Sequence, residues 1–272
     1  MMMRSLITRH HSRRSIMIGD FIVSLASYSK RIGTLHICLE SIFSQILMPK
    51  KVILYLDNSV QPSNVPPAIK IFIDKGLEIV FVSNDIASHN KYYYTFQKYP
   101  NDIVITVDDD VIYDKYTFYN LMQTHLKYPD SICATRVTYL KFDNNMIASY
   151  NDWISEYDKL LSPSKRLLAV GVGGILYPPH IFPNEVFNKA KIIELALTAD
   201  DIWLKFMELK NNIPVVWSGQ LPQHPKQIPN TRDVGLWRTV NKYKNDEYIQ
   251  NLMNAYGMDL FSLITEGEDY NG

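Results

Sequence analysis

No stretch of this chain approaches the roughly 18 consecutive apolar residues that a membrane-spanning helix needs, so none is expected. Excess charge is also missing: 28 Lys and Arg balance 28 Asp and Glu. A chain without net charge has no overall field to draw in nucleic acid, and that class of partner is set aside. Cysteine is scarce. Cys38 and Cys133 stand far apart, without the paired spacing of a metal site, and read as small apolar residues of a reducing compartment. Glycine is sparse where a phosphate loop would need it. The segment Ser24–Arg31 (SLASYSKR) has none before Gly33, and no GxxxxGK[ST] pattern occurs.

What remains is a chain of 272 residues, 46% apolar, with enough hydrophobic material for one large α/β domain. Residues 1–20 carry Arg4, Arg9, His10, His11, Arg13 and Arg14 with no long apolar stretch after them, which argues against a secretory signal. This basic tail reads either as a disordered start ahead of an initiator at Met17 or as a dock for an anionic membrane surface. Each basic residue near such a surface contributes about 1 kcal/mol.

From Phe21 the pattern alternates. Apolar runs at Phe21–Leu25, Val52–Leu56, Leu77–Val82 and Ile103–Val107 read as strands. Between them, helices are expected over Ile32–Leu47 (ended by Pro49), Ile69–Lys75 and His89–Lys98. Strands apolar at nearly every position, separated by helices, indicate a parallel, doubly wound sheet covered on both faces. The second half predicts helices over Tyr116–Tyr128, Ala199–Leu209 and Asp246–Tyr256. Strands are expected at Ile132–Val137 and Ile213–Trp217, with an apolar run at Leu168–Tyr177 broken by Gly171, Gly173 and Gly174.

The fourth strand runs into Asp108-Asp109-Asp110. Open parallel sheets bind ligands at the carboxyl ends of their strands, so these carboxylates fall where a site belongs. Two like charges about 4 Å apart repel by about 4 kcal/mol at an effective dielectric near 20, and something must compensate. Mg2+ or Mn2+ does so with hard oxygen ligands, usually one or two carboxylates plus substrate phosphates. Asp108 and Asp110 are the natural pair. The other reading is a solvated acidic turn capping the next helix.

With these residues in view, the chain resembles bacterial glycosyltransferases of the GT-A fold, the family 2 type that builds lipopolysaccharide or capsule. The resemblance lies in FIVSLASYSKRIGTLHICLESIFSQILMPKKVILYL, EIVFVSND and YPNDIVITVDDDVIY, and is strongest over residues 21–113. It implies a Rossmann-like, mostly parallel sheet with helices on its flanks, a nucleotide-binding half at 21–113, an acceptor half at 114–224, and a lid or helical extension at 225–272. It implies that Ser27 and Tyr28 lie beside the base of a UDP-sugar, Arg31 near the phosphates, Asp57 near uracil or ribose, and Asp85 near the base. Lys91 would support phosphates or ribose. Asp108 would lean toward the ribose, with Asp109 beside it, and Asp110 would bind Mn2+ or Mg2+. For Tyr28, Arg31 and Lys91, core packing or surface charge is the competing reading.

Further along, Asp200 and Asp201 begin a helix, either as helix-start residues or as the base that deprotonates an acceptor hydroxyl. Gly173 and Gly174 permit close backbone approach to the donor sugar and acceptor, or else form a tight turn. His224 is the candidate third metal ligand. Lys226, Arg232, Arg238 and Trp237 would form a lid over the diphosphate. The expected function is inverting sugar transfer from a UDP-sugar to a glycan or glycolipid acceptor, in the cytoplasm or on the inner membrane face. Retaining transfer, nucleotidyl transfer and non-catalytic glycan binding are the alternatives.

Overall fold

Nine of the eleven residues of the first strand carry an aliphatic, aromatic or small side chain, and five in succession, Phe21–Leu25, are with Ser24 wholly or almost wholly buried. Such a strand fits only the middle of a sheet covered on both faces. In the computed structural model, which describes residues 17–231 and 240–265, that is its place.

The elements in chain order are β1 (Met17–Ser27), α1 (Leu35–Ile42), β2 (Leu47–Leu56), α2 (Pro67–Lys70), β3 (Leu77–Phe81), α3 (Asn90–Lys98), β4 (Ile103–Thr106), β5 (Val111–Ile112) and α4 (Thr117–Lys127). Then come β6 (Ile132–Ala134), β7 (Val137–Tyr139), β8 (Phe142–Asp143), β9 (Met146–Ile147), β10 (Ile154–Ser155), β11 (Leu167–Ala169) and β12 (Ile175–Tyr177). The chain continues through α5 (Lys189–Leu195), α6 (Asp200–Lys210), β13 (Val215–Trp217), β14 (Lys226–Gln227), α7 (Lys242–Tyr256) and α8 (Leu260–Thr265).

The main sheet has seven strands in the order β13-β6-β12-β4-β1-β2-β3. Every pairing is parallel except those of β12, which runs antiparallel to both neighbours. The chain winds outward from β1 to β3 and then returns to place β4 on the other side of β1. Strand order therefore reverses between β1 and β4, the crevice where doubly wound sheets take their ligands. Two apolar cores lie on the sheet. One holds Leu35, Leu39 and Phe118 against the odd-numbered residues of β1, and the other gathers Tyr92, Trp203 and Tyr177 with α6 and α7.

Three expectations are corrected. Leu47 and Met48 open β2, paired to Met17 and Ile18, instead of ending the first helix, because pairing with β1 outweighs the helical spacing. The same pairing puts Met17–Asp20 in a strand, so the tail read as residues 1–20 gives way to structure at Met17. Ile132–Val137 and Leu168–Tyr177 each divide between two sheets: β6 and β12 join the main one, while β7 and β11 form a three-stranded sheet with β10. The segment after His224 is tied to the core, since β14 pairs with β5 and α7 packs on α6. The basic residues of positions 4–14, together with Arg232, Trp237 and Arg238, lie outside the described residues. Among the described residues no helix is long and apolar enough to cross a membrane.

Candidate functional site

Asp108, Asp109 and Asp110 leave the carboxyl end of β4, and Ser27, Tyr28 and Arg31 leave that of the adjacent β1. The turn Tyr28–Ile32 is closed by the N–H groups of Arg31 and Ile32 donating to Tyr28 O, and it swings the Arg31 guanidinium across the acidic run. Arg31 Nη1 binds Asp109 Oδ1, and Nη2 lies 3.0 Å from Asp110 Oδ2. Burial works against the Arg31 charge, but the two carboxylates outweigh it and hold its pKa above the ordinary value. Its carbon Cζ sits 5.8 Å from the Tyr28 ring centre, a cation–π contact.

The aspartate backbone is fastened separately. The Asp108 N–H donates to the Tyr113 hydroxyl at 2.8 Å, which donates to Val172 O at 3.1 Å. The Cys38 thiol donates to Asp108 O, and the Ile228 N–H donates to Asp110 O at 2.9 Å.

A second cation enters from α3. Lys91 is 5% exposed, and its ammonium bridges Asp108 Oδ1 at 2.7 Å and Asp200 Oδ2 at 2.9 Å. Burial opposes the charge; Asp108 and Asp200 more than compensate and push its pKa up. Lys91 O accepts from the Ser24 hydroxyl, which touches Thr95 Oγ1 at 2.8 Å. Lys91 thus joins the aspartates after β4 to those that open α6.

Neither Asp200 nor Asp201 caps α6; Ala199 holds that position without a side-chain cap. Both carboxylates turn inward. The Gly171 N–H donates to both oxygens of Asp201, at 3.1 and 3.2 Å. A Cβ added at Gly171 would lie 2.8 Å from Lys91 Nζ and 3.1 Å from Asp201 Oδ1, so any larger residue there would displace the ends of these two side chains. Gly173, in the same turn, would place a Cβ 2.6 Å from that of Arg136. Gly174 has φ +96°, the left-handed region.

Four carboxylates thus meet two cations, Arg31 and Lys91, in the ion pairs of this site, and Asp201 adds a fifth without an ion pair. His89 stays neutral, its pKa lowered by burial, with Nε2 2.9 Å from Ala196 O. Surplus negative charge shows in the proton affinities. Burial, with Asp108 and Asp109 adding to it, pushes Asp110 up to about 7. Burial and then Asp200 push Asp201 up to about 8. Asp109 is also raised by burial, and its Oδ2 is buried without a hydrogen-bond partner. Ser27 lies beside it and lowers its pKa slightly, although Ser27 Oγ completes no well-aligned hydrogen bond.

A hard divalent cation fits this donor set: carboxylate oxygens in excess of their partners, one of them an orphan, at the mouth of a parallel sheet. The triad Asp108, Asp110 and His224 is corrected. Among the described residues no three His, Cys, Asp or Glu side chains converge as a metal-holding group. His224 Nδ1 is 2.7 Å from Pro225 O, and Asp108 and Asp110 are held by different cations. The fit is that of carboxylates completed by substrate phosphates.

Asp57 and Asp85 sit at the ends of β2 and β3, each engaged locally. Asp57 Oδ1 accepts from the Ser59 N–H and hydroxyl. Asp85 Oδ1 accepts from the Ala87 N–H at 2.9 Å and Asn90 Nδ2 at 2.6 Å, bracing the start of α3. Tyr113, Arg136 and Tyr150 surround the centre without having been singled out from sequence, whereas Gly171 was named there as one of the glycines breaking the apolar run. Tyr113 closes the quoted motif YPNDIVITVDDDVIY, whereas nothing in sequence marked Arg136 or Tyr150.

The sequence model of glycosyl transferase family 2 matches residues 25–176, more than half of the chain. No curated protein sequence matches. Among solved structures, the mannosyltransferase PcManGT from Pyrobaculum calidifontis, in complex with GDP-Man and Mn2+, is 14% identical. The match covers 92% of this chain and 69% of that one, with a TM-score of 0.54. S. aureus TarS 1-349 in complex with UDP is 14% identical over 73% of this chain, with a TM-score of 0.48, and the match spans 58% of the TarS fragment. The likeness to PcManGT is one of fold: a mixed α/β, GT-A arrangement with a mostly parallel central sheet.

Proposed function

The chain belongs to glycosyl transferase family 2, and from that premise we propose that it moves a sugar from a nucleotide diphosphate, a UDP-sugar, to a hydroxyl of a glycan or glycolipid acceptor, with inversion. The observation that carries the proposal is the surplus of buried carboxylate at the carboxyl ends of β1 and β4, bridged by Lys91 to the carboxylates of α6. That surplus suits a cation and a diphosphate arriving together.

Asp110 and Asp108 would hold Mn2+ or Mg2+, which when bound supplies positive charge against the diphosphate. Ser27, Tyr28, Asp57 and Asp85 would flank the nucleoside, and Arg31 and Lys91 would donate to phosphate oxygens. The Gly171–Gly174 turn, packed close to Asp201, would face the donor sugar. In the transfer itself the acceptor oxygen forms a bond to the anomeric carbon as the bond from that carbon to the diphosphate oxygen breaks. Asp201 takes the hydroxyl proton, and the diphosphate leaves with the electron pair. The Gly171 N–H fixes the Asp201 carboxylate, and its raised pKa suits a group that must accept a proton.

The test combines thermal unfolding with turnover. UDP plus Mn2+ at about 100 times its Kd stabilises a single-site protein by about 2.7 kcal/mol. Asp110→Asn is expected to remove the Mn2+-dependent part of that gain and the hydrolysis or transfer of UDP-sugars. If neither UDP nor GDP raises the unfolding temperature with Mn2+ or Mg2+, the proposal fails. Stabilisation without turnover supports a binding protein, and the product anomer separates inversion from retention.

A further inference from the structure

Arg136 has more hydrogen-bonding capacity than its neighbours use. It lies between β6 and β7, and its carbonyl accepts from the Val170 N–H at 3.0 Å, which fixes it against the glycine turn. One end of that turn, Gly171, faces Asp201; the other, Gly173, abuts the Arg136 backbone and Cβ. The guanidinium carries five N–H donors. Nη2 reaches Ser155 Oγ at 3.2 Å, while Glu156 Oε1 stands off at 3.7 Å. Nε is buried without a partner, in a side chain only 17% exposed. An unmet donor on a largely buried charged group is costly unless an acceptor arrives.

Resting on the transferase reading, we propose that Arg136 binds an anionic oxygen group of the acceptor, a phosphate or a carboxylate, while the acceptor hydroxyl meets Asp201. The planar fork of a guanidinium matches such a group with two parallel donors. The donor diphosphate is served elsewhere, since the cations paired to Asp108–Asp110 are Arg31 and Lys91. Both Asp201 and Arg136 act on Tyr150. Its hydroxyl pKa is raised by burial and by Asp201 and lowered by Arg136, which places the phenol within the field of both. Tyr150 packs on the buried Trp153 with ring centres 4.7 Å apart, which fixes the phenol beside the glycine turn's neighbours. The acceptor is therefore an acidic glycan, its charge held by Arg136 on one side of the glycine turn while its hydroxyl meets Asp201 on the other.

Calorimetry tests this with three probes: methyl glucoside, methyl glucuronide and methyl glucoside 6-phosphate. Each is titrated into the protein with and without saturating UDP and Mn2+. At least one acidic probe is expected to bind ten times more tightly than methyl glucoside, and which one does so distinguishes carboxylate from phosphate. Arg136→Gln should erase that preference, Arg136→Lys should keep part of it, and Glu156→Gln should strengthen binding by removing a competing carboxylate. Thermal unfolding confirms that each variant is folded, and Glu156→Gln carries the test if Arg136→Gln does not fold. No preference for either acidic probe, or a preference that survives Arg136→Gln, would overturn the proposal. So would a fall in UDP affinity with probe binding intact, which would move Arg136 to the donor. Failure of UDP to bind at all refutes the transferase reading alone, because the titrations without nucleotide still judge Arg136.

Discussion

Replacing Lys91 by Met keeps the length and apolar stem of the side chain and removes its charge. Lys91 and Asp200 have side chains 7% and 9% exposed and form the buried arm of the bridge; Asp108, at 29%, forms the wetter arm. Removing one partner of a buried pair costs about 3–5 kcal/mol, because the other charge is left unpaired. Since Asp108 is partly hydrated, the lower end applies, about 3 kcal/mol at pH 8. In a domain of this size each kcal/mol moves the Tm by about 2–4 °C, so the expected fall is about 6–12 °C. The fall depends on pH. In the wild type, burial raises the Asp200 pKa but Lys91 more than reverses it, and the net shift is downward. Asp200 therefore contributes stability above its ordinary pKa, lost as pH falls through its lower folded value. Lys91, with a raised pKa, is charged in both folded and unfolded chains from pH 5 to 8. Without Lys91, burial and Asp201 push Asp200 upward, and it takes up a proton in mildly acidic solution. The variant should thus be most destabilised at pH 8 and lose about half of that deficit by pH 5. Thermal unfolding in EDTA at the two pH values measures both. A drop below about 2 °C, or one of equal size at pH 5 and pH 8, would refute the reasoning.

Gly171→Ala should lower kcat at least tenfold with a smaller effect on KM for the donor, because the new methyl meets Lys91 Nζ and Asp201 Oδ1; unchanged steady-state kinetics would count against the close packing. With Asp201 pushed up to about 8, the transfer rate should rise about tenfold per pH unit below that value and level off above it. A pH–rate profile flat from 6 to 9, or an Asp201→Asn variant with full activity, would exclude it as the base.

Much of the first half was legible because its signals are local. The runs at Leu77–Val82 and Ile103–Val107 are apolar at nearly every position, and such runs bounded by loops leave little choice of structure; β3 and β4 follow them closely. Asp108–Asp110 could be placed at the sheet mouth for the same reason. The second half was harder because its bends are set by contacts between distant segments. Thr135–Arg136 and Val170–Gly174 bend at the same point, each permitted by the other through the missing Cβ of Gly173. A window of sequence sees only an apolar run with glycines. Arg136 was illegible because a lone arginine resembles any surface charge until its burial is known. His224 was harder for a related reason: its position in the chain suggested a ligand, but convergence with Asp108 and Asp110 depends on the loop's path, and among the described residues the three do not form one group.

The short ladder between β5 and β14 gives the acidic loop a second anchor point. Lys226 opposes Ile112, Gln227 opposes Val111, and the Ile228 amide holds the carbonyl of Asp110. The stretch that follows His224 is thereby spliced to the loop bearing the aspartates, like a stay on a mast. A protein cut at that histidine would forfeit this brace and leave the Asp110 carbonyl seeking solvent. The usable boundary of the catalytic unit accordingly lies downstream of the ladder.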